Sequence, residues 1–304
     1  MLRWNLLVAC ACLGLLASAF GADEKAAVSH PFVCADMAKG KVFLVSKEGK
    51  IEWECPAPGS TDVWRLANGN VLFTWAHGVK EIAPDKKTAW EYKTAPQNEI
   101  FSCQPLENGN VLIGEAGPCR LIEVDRQGRI QKQIPLTTAS QRAHGQFRIC
   151  RRTPGGTYLV AHMGERVVRE YDAKGAVLRT IKAPGNVFSA VRLPDGNTLI
   201  ACGDGHKLIE VDPKDNIVWQ IGENDLPGNP LRFVAGVQRL PNGNTVVCNW
   251  GGHGSHVGQQ PQIFEVTRDK KVVWQVFDNE QFGTISNVQI LDVEGDPAKG
   301  ILLR

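Results

Sequence analysis

The stretch "RLPNGNTVVCNWGGHGSH", residues 239–256, joins a repeated half to an unrepeated half. The first half has close copies in "RLANGNVLFTW" at residues 65–75 and "RLPDGNTLIAC" at residues 192–202. An Asn-Gly or Asp-Gly pair between two apolar segments is typical of a β-hairpin whose turn requires positive φ. The second half, with His253 and His256 among glycines, has no counterpart in the chain. The stretch therefore predicts a repeated hairpin that carries a local elaboration.

The hairpin recurs along the whole chain. Its turn signals lie at residues 68–70, 108–110, 155–156, 195–197 and 242–244. A second hairpin follows each one, as in "KLIEVDPKDNIVWQI" at residues 207–221 and "RLIEVDRQGRIQKQI" at residues 120–134. One unit is therefore strand A, turn, strand B, loop, strand C, turn and strand D. Successive A–B turns lie about 40 to 47 residues apart, and a four-stranded repeat of that length is typical of a propeller blade.

The two ends of the chain complete each other. There are six C–D hairpins, five complete A–B hairpins, an A-like strand at residues 285–293 and a B-like "FVCAD" at residues 32–36. The sequence therefore predicts an all-β, six-bladed β-propeller of four-stranded antiparallel blades. Its N- and C-terminal segments share the closing blade, which removes the exposed edges of an open array.

The N-terminus has the pattern of a targeting segment. Arg3 precedes an apolar run at residues 6–16, and the small residues needed for cleavage follow in Ala17-Ser18-Ala19 or in Ala19-Phe20-Gly21. This predicts a signal peptide at residues 1–21 and a single propeller domain at residues 22–304. We expect an exported protein, periplasmic or extracellular, with no membrane-spanning segment after cleavage. A lipid anchor at Cys10 is the second alternative.

Composition excludes some partners. The 34 Lys+Arg and 32 Asp+Glu leave a net charge of +2, so nucleic acid is not an expected partner. Seven cysteines follow the predicted signal peptide, mostly inside apolar strand patterns, and no C-x-x-C pair occurs. We expect them to be buried thiols, not a disulfide framework.

Units of the form "LPNGNT" followed by "IEVD" and "IVW" resemble the pyrroloquinoline-quinone-like (PQQ-like) propeller repeat. Similar repeats occur in quinoprotein dehydrogenases, in the outer-membrane assembly factor BamB and in arylsulfotransferases. The resemblance covers the chain from Phe32 onward and implies the fold, but it does not specify an activity. PQQ itself is not expected, because the chain has no adjacent Cys-Cys pair and about half the blade set of a quinoprotein dehydrogenase.

Strand order predicts where a site lies. The A–B and C–D turns share one face, whereas the B–C loops and the D–A crossovers share the other. Six of the seven histidines fall on this second face, and only His30 lies elsewhere. The catalytic candidates are His144 and Arg148. The binding candidates are His77, Glu99, Glu115, His162, Asp204, His206, Arg232, Trp250, His253 and His256.

Residues that repeat in register are interpreted as structural. In several units the same position before the A–B turn is an arginine. An equivalent position in strand C is a glutamate, and one near the end of strand D is a tryptophan. We expect these side chains to pair or pack between strands or blades. The members are Arg65, Arg152, Arg192 and Arg239; Glu81, Glu123, Glu170, Glu210 and Glu265; and Trp53, Trp90, Trp219 and Trp274.

Three functions remain open. The first is a non-enzymatic ligand- or protein-binding scaffold whose partner is a protein, a glycan or a small molecule. The second is an arylsulfotransferase-like enzyme that uses His144 with Arg148, Arg232 and the pair His253 and His256. The third is a calcium-dependent lactonase or glycan-active propeller, with Asp62, Glu99, Glu115, Asp204 and Asn249 as ligands.

No cofactor is predicted, although calcium or a transition metal stays open. His253 and His256 are the metal candidates, with His206 or Asp204 as further ligands. Whether the chain is an enzyme is left undecided by the sequence.

Overall fold

The computed structural model describes residues 29–254 and 257–304, which form six antiparallel sheets of four strands each. The predicted signal peptide and His256 lie outside these residues. Strand A of each sheet contacts strand A of the next all the way round, so the sheets surround one axis. The fold is a six-bladed β-propeller with almost no helix, which confirms the predicted class.

The strands, numbered in chain order, follow one another from the axis outward in each blade. Blade 1 contains β24 (Ile285–Ile290), β1 (Phe32–Asp36), β2 (Lys41–Val45) and β3 (Ile51–Pro56). Blade 2 contains β4 (Val63–Arg65), β5 (Val71–Trp75), β6 (Gly78–Ile82) and β7 (Thr88–Lys93). Blade 3 contains β8 (Glu99–Pro105), β9 (Val111–Ala116), β10 (Arg120–Val124) and β11 (Ile130–Pro135).

The second half of the ring follows the same order. Blade 4 contains β12 (Cys150–Arg152), β13 (Tyr158–His162), β14 (Val167–Tyr171) and β15 (Val177–Lys182). Blade 5 contains β16 (Ser189–Arg192), β17 (Thr198–Ala201), β18 (Leu208–Val211) and β19 (Ile217–Ile221). Blade 6 contains β20 (Val234–Arg239), β21 (Thr245–Asn249), β22 (Ile263–Val266) and β23 (Val272–Val276). Helix α1 (Ala143–Gln146) lies in the crossover into blade 4, and a 3₁₀ turn spans Pro297–Lys299.

Blade 1 closes the ring by joining the two ends of the described chain. Strand β24 pairs antiparallel with β1, with Val33 opposite Gln289 and Cys34 opposite Val288. The shared closing blade is thus confirmed. Because every blade now has a neighbour on both sides, the apolar faces of all six sheets are covered.

The A–B turns have the geometry that their sequence predicts. Their glycines all have φ between 83° and 88°, a region that side chains with a Cβ rarely adopt. The residues are Gly69, Gly109, Gly156, Gly196 and Gly243. Five tight, uniform turns on one face leave the variable loops to the other.

Charged residues repeated in register join neighbouring blades. Arg192 in blade 5 contacts Glu170 in blade 4 at 2.6 Å, and Arg239 in blade 6 contacts Glu210 in blade 5 at 2.7 Å. At the junction of blades 6 and 1, His30 contacts Glu265 at 2.9 Å in the same way. The predicted inter-blade pairing is confirmed at these junctions. Within the described residues, the equivalent Arg65 and Arg152 form no ion pair.

The indoles of strand D add a second inter-blade contact. Trp90 Nε1 donates a hydrogen bond to the Asp125 carbonyl at 3.1 Å, and Trp219 Nε1 donates to the Arg268 carbonyl at 2.8 Å. Both acceptors belong to the next blade, which agrees with the predicted packing role of these tryptophans.

A buried polar network fills the axis below the loop face. Asp62, at the entrance to blade 2, accepts hydrogen bonds from both terminal nitrogens of Arg151 in blade 4, at 2.7 and 2.9 Å. Asn287 in blade 1 donates to the same carboxylate at 3.0 Å. Arg304 donates to the Val63 carbonyl at 2.6 Å, and its guanidinium lies 4.0 Å from the centroid of Trp64. Residues of non-adjacent blades can meet only at the axis.

The helices and the cysteines of the described residues bear on membrane insertion and on disulfide bonds. In residues 29–254 and 257–304, no helix has the length and apolar character needed to cross a bilayer. Seven thiols are free there, and all but Cys55 are buried. The buried thiols are packing groups of the blades.

Candidate functional site

A cavity of about 410 Å³ opens at the axis on the face of the B–C loops and D–A crossovers. All six blades, or the loops that lead into them, contribute to its lining. The residues are Met37 and Ser286 from blade 1, Thr61 from blade 2, Phe101 from blade 3, His144, Arg148 and Met163 from blade 4, Asn186, Phe188 and Asp204 from blade 5, and Phe233, Trp250 and His253 from blade 6.

One position of the repeat contributes a lining residue from every blade. In blades 2 to 5, the residue five places before the first residue of the A–B turn faces the cavity. These residues are Thr61, Phe101, Arg148 and Phe188, counted back from Leu66, Leu106, Thr153 and Leu193. Blade 1 has no A–B turn, and there Ser286 holds the equivalent place, five residues before Leu291, which directly follows β24. In blade 6 the register of β20 shifts between Val234 and Val237, and Phe233 takes the position. The cavity wall is thus a ring of equivalent positions with different side chains.

An aromatic cluster forms the wall on blades 5 and 6. The Phe233 ring packs edge-on against Phe188 at 5.7 Å, against Trp250 at 5.1 Å and against His253 at 5.3 Å between centroids. Trp250 and His253 also pack edge-on, at 5.0 Å. Interlocked aromatic rings form a rigid apolar surface with a large contact area for a flat molecule.

Arg148 is the one cation among the equivalent positions of the ring. Its Nη1 donates to the carbonyl oxygens of His144 at 2.5 Å and Phe147 at 2.9 Å, and its guanidinium lies 4.1 Å from the Phe101 centroid. The side chain is 5% exposed. Burial lowers the pKa of Arg148 to about 10, and the nearby Glu99 raises it, so the group is cationic at neutral pH.

Two histidines of the cavity are each held by a carboxylate. His144 Nδ1 lies 2.9 Å from Glu99 Oε2, and His253 Nδ1 lies 2.8 Å from Asp204 Oδ1. An ionised carboxylate only accepts hydrogen bonds, so Nδ1 carries the proton in both rings. When such a ring is neutral, Nε2 carries a lone pair and can accept a hydrogen bond or a proton from a bound molecule.

The structure brings together five of the residues singled out from the sequence. His144, Arg148, Asp204, Trp250 and His253 line the cavity. Glu99 belongs to the same site through its bond to His144. The remaining binding candidates within the described residues do not lie on the cavity wall.

Two of these candidates are buried inside the blades. His162 is fully buried, with Nε2 2.8 Å from the Tyr171 hydroxyl, and burial lowers the pKa of its imidazole to about 4. Glu115 is 2% exposed and accepts from Arg120 Nε at 2.5 Å as well as from Thr94. Both side chains therefore lie inside the blades and do not reach the cavity wall.

Three further candidates occupy the outer loops. His77 Nδ1 bonds the Asn98 carbonyl at 3.1 Å. His206 adopts a positive φ of 51° in the B–C loop of blade 5. Arg232 pairs with Glu223 at 2.6 Å. The last candidate, His256, lies outside the described residues.

The proposed calcium ligands do not converge on one point. Asp62 is bound by Arg151, Glu115 by Arg120, and Asn249 accepts from the backbone of Arg232 at 2.8 Å. Among residues 29–254 and 257–304, no cluster of three or more His, Cys, Asp or Glu side chains is arranged to hold a metal ion.

The aromatic lining was missed in the sequence analysis. Phe101, Phe188 and Phe233 precede or begin A strands, and they look like ordinary core residues in a single repeat. Alignment of the six A strands on their turns would have placed Phe101 and Phe188 beside Arg148. The register shift of β20 hides Phe233 even from that alignment.

Solved structures with the same fold come from several bacteria. A protein of unknown function from Bacteroides caccae is 31% identical, over 86% of this chain and 98% of that chain, with a TM-score of 0.80. A catalytically inactive variant of virginiamycin B lyase from Staphylococcus aureus, solved with quinupristin, is 14% identical, over 83% of this chain and 85% of its own, with a TM-score of 0.57. A functionally unknown protein from Desulfotomaculum acetoxidans is 12% identical, over 88% of this chain and 100% of its own, with a TM-score of 0.57.

At 14% and 12% identity, the second and third of these likenesses show the propeller fold alone. No curated protein matches the chain. The resemblance to PQQ-like repeats is confirmed as far as the propeller fold. The family model of the Mal s 1 allergenic protein-like proteins matches residues 29–271. The chain therefore belongs to the Mal s 1 allergenic protein-like family.

Proposed function

We propose that this protein binds a small organic molecule in the axial cavity. The observation that carries the proposal is the cavity itself, because its 410 Å³ and its lining from six blades match the size and build of ligand sites. A concave site with aromatic walls and few polar groups suits a compact molecule better than a flat protein surface. The ring of blades holds the walls in place before the ligand arrives.

The aromatic cluster and the polar groups divide the cavity into two parts. Phe188, Phe233 and Trp250 form an apolar wall on blades 5 and 6. Arg148 and His144 present polar groups on the side of blades 3 and 4. A ligand with one flat apolar end and one polar end would contact both parts.

Filling the cavity tests this proposal. Met163 lines the cavity from the B–C loop of blade 4, so Met163→Trp adds bulk without removing a buried strand residue. We expect fragment hits found by saturation-transfer NMR to lose affinity by at least roughly tenfold in this variant. Leu178→Trp is the matched control, since Leu178 is 56% exposed on the outer strand of blade 4.

The two outcomes are distinct. Fragments that bind Met163→Trp as tightly as the wild type would show that the axial cavity is not the binding site. An equal loss of binding in Leu178→Trp would also show that the axial cavity is not the binding site, because that change leaves the cavity untouched.

A second candidate function is acid–base catalysis at the same cavity. Its support is the pair of imidazoles, His144 and His253, each held at Nδ1 by a carboxylate. An arylsulfotransferase-like reaction is the form that the sequence favours. In this reaction the sulfuryl group of 4-nitrophenyl sulfate passes to the hydroxyl of an added phenol, and 4-nitrophenol leaves. Turnover with phenol present, lost in His144→Ala, would support it; no turnover in the wild type with both substrates present would remove this form of it.

We further propose that the protein works outside the cytoplasm, as its N-terminal segment suggests. N-terminal sequencing of the protein from fractionated cells tests this. A mature chain that begins near residue 22 is expected, whereas an intact Met1 would contradict export by cleavage. Descent from a PQQ-like repeat protein also stays a proposal, supported by the "IEVD" and "IVW" segments.

A further inference from the structure

Arg148 differs from the other residues at its position of the repeat. The equivalent residues Thr61, Phe101, Phe188 and Ser286 are neutral, and they line the same cavity. A guanidinium in this ring is not required by the architecture, because four other blades are built without one. Its presence therefore has a cause other than blade packing.

The hydrogen bonds of Arg148 leave one edge of its guanidinium free. Nη1 donates to the carbonyls of His144 and Phe147, while Nε and Nη2 make no hydrogen bond to the described residues. No carboxylate of the described chain lies within 4.0 Å of this guanidinium. The free edge, Nε with Nη2, is the side-on fork that binds two oxygens of one group.

Other buried arginines of the same axis are paired. Arg151 is also 5% exposed, and it binds Asp62 through both terminal nitrogens. Arg304, which is 3% exposed, lies 3.8 Å from an oxygen of the same Asp62 carboxylate. A buried charge without a paired carboxylate is costly, and Glu99 acts on Arg148 only from beyond 4.0 Å. The free edge of Arg148 in the cavity wall therefore indicates that a bound anion completes the pair.

We infer that the cavity binds an aromatic monocarboxylate, with its carboxylate on the Nε and Nη2 edge of Arg148 and its ring against Phe188, Phe233 and Trp250. This inference rests on the proposed function, since it names the class of ligand for the same site. The planar carboxylate matches the planar fork, and the edge-to-face cluster of blades 5 and 6 offers the apolar contact.

The surrounding charges favour one negative charge over two. Glu99 and Asp204 already place carboxylates beside the cavity, on His144 and His253. A monoanion pairs with Arg148 at little cost, whereas a phosphate monoester brings a second negative charge toward these two groups. The cavity therefore selects a carboxylate over a phosphate of the same ring.

Three matched probes test the inference by isothermal titration calorimetry: 2-naphthoate, 2-naphthamide and 2-naphthyl phosphate. We expect 2-naphthoate to bind at least about tenfold more tightly than either of the others. In Arg148→Met, 2-naphthoate should bind no more tightly than 2-naphthamide, because the guanidinium fork is lost. The methionine keeps the apolar part of the side chain, so the shape of the cavity wall is retained. Arg148→Lys keeps the charge without the fork and recovers part of the advantage.

Arg179→Met is the control variant, since Arg179 lies on the outer strand of blade 4 and pairs with Asp215. It should leave the affinities of all three probes unchanged. Should Arg148→Met not fold, the comparison of 2-naphthoate with 2-naphthamide on the wild type decides the matter.

Each contrary result has its own meaning. Equal affinities for the acid and the amide would overturn the anion site but leave the small-molecule cavity intact. Tighter binding of the phosphate would replace the carboxylate by a phosphate as the ligand class. If none of the three probes binds, the aromatic carboxylate class is excluded. The proposed function is tested separately, by the loss of fragment affinity in Met163→Trp.

Discussion

Replacing Asp62 by asparagine should destabilise the propeller by breaking the buried network on its axis. Asp62 is fully buried and accepts both terminal nitrogens of Arg151, at 2.7 and 2.9 Å. It also accepts Asn287 Nδ2 at 3.0 Å and the Cys103 backbone N–H at 3.1 Å. An asparagine turns one of the two acceptor oxygens into an NH₂ donor that faces a guanidinium. The variant therefore leaves Arg151 charged, buried and without a carboxylate.

The expected cost follows from that unpaired charge. Removing one partner of a buried ion pair typically costs about 3–5 kcal/mol. For a domain of this size the melting temperature falls by about 2 °C or more for each kcal/mol, so a drop of roughly 6–10 °C is expected. Nearby Arg304 adds to the effect, because burial already lowers the pKa of its guanidinium to about 9 and Asp62 is the charge that opposes this shift.

Urea unfolding followed by tryptophan fluorescence measures the effect, with a reductant present for the free thiols. Asp215→Asn is the matched control, since Asp215 forms an ion pair with Arg179 at 2.6 Å but is 55% exposed. An exposed pair contributes about 0–1 kcal/mol. The double variant Asp62→Asn with Arg151→Met should recover part of the loss, because it removes the stranded charge.

A loss in Asp62→Asn no larger than that in Asp215→Asn would refute the argument. A double variant less stable than Asp62→Asn alone would also contradict it, since the stranded guanidinium would then not be the source of the cost.

Three further predictions concern other parts of the fold. His162 is buried with its pKa lowered to about 4, below the ordinary value of 6.5, so the unfolded chain binds its proton first as the pH falls. Stability should therefore be lost between about pH 6.5 and pH 4, and His162→Gln should flatten the urea midpoint against pH over that window; an unchanged slope would contradict the assignment. Glu210→Gln should cost about 1–3 kcal/mol in urea unfolding, because Glu210 receives both Arg239 and Arg268, whereas Glu54→Gln, at a 41% exposed pair, should cost under about 0.5 kcal/mol. Val288→Ala in the closing strand β24 should cost about 1.5–3 kcal/mol, and Val273→Ala on outer strand β23, where Val273 is 37% exposed, should stay within about 0.5 kcal/mol; equal effects would argue against a closed ring.

The architecture followed from the repeat because each blade is specified locally. The A–B turns require glycine at positive φ, and "LPDGNTLI" and "LPNGNTVV" show that requirement in the printed sequence. The incomplete ends, residues 32–36 and 285–293, predicted the closing blade, since only their pairing completes a sixth unit. Export remains a prediction, because it rests on residues 1–21.

The sequence predicted which face of the propeller carries the site, but not which residues of that face line the cavity. Strand order places the B–C loops and D–A crossovers on one side, so His144, Arg148, Asp204, Trp250 and His253 were expected there, and they line the cavity. The same argument could not separate them from His162 or Glu115, which belong to the same loops or strand ends. The direction of a side chain at a strand end depends on the register of its neighbours, and that register is a property of the assembled sheet.

The sequence by itself determined the number of blades, the closing strand and the face that varies, because these depend on contacts within one repeat or between its two ends. Only the tertiary structure decided what occupies the axis. Arg151 reaches Asp62 from a non-adjacent blade and removes it from the candidate ligands, whereas Arg148 keeps a free edge toward the aromatic wall of blades 5 and 6. These contacts join residues that are far apart in the chain and that lie on different blades of the ring. A local sequence pattern does not determine the distance between such residues.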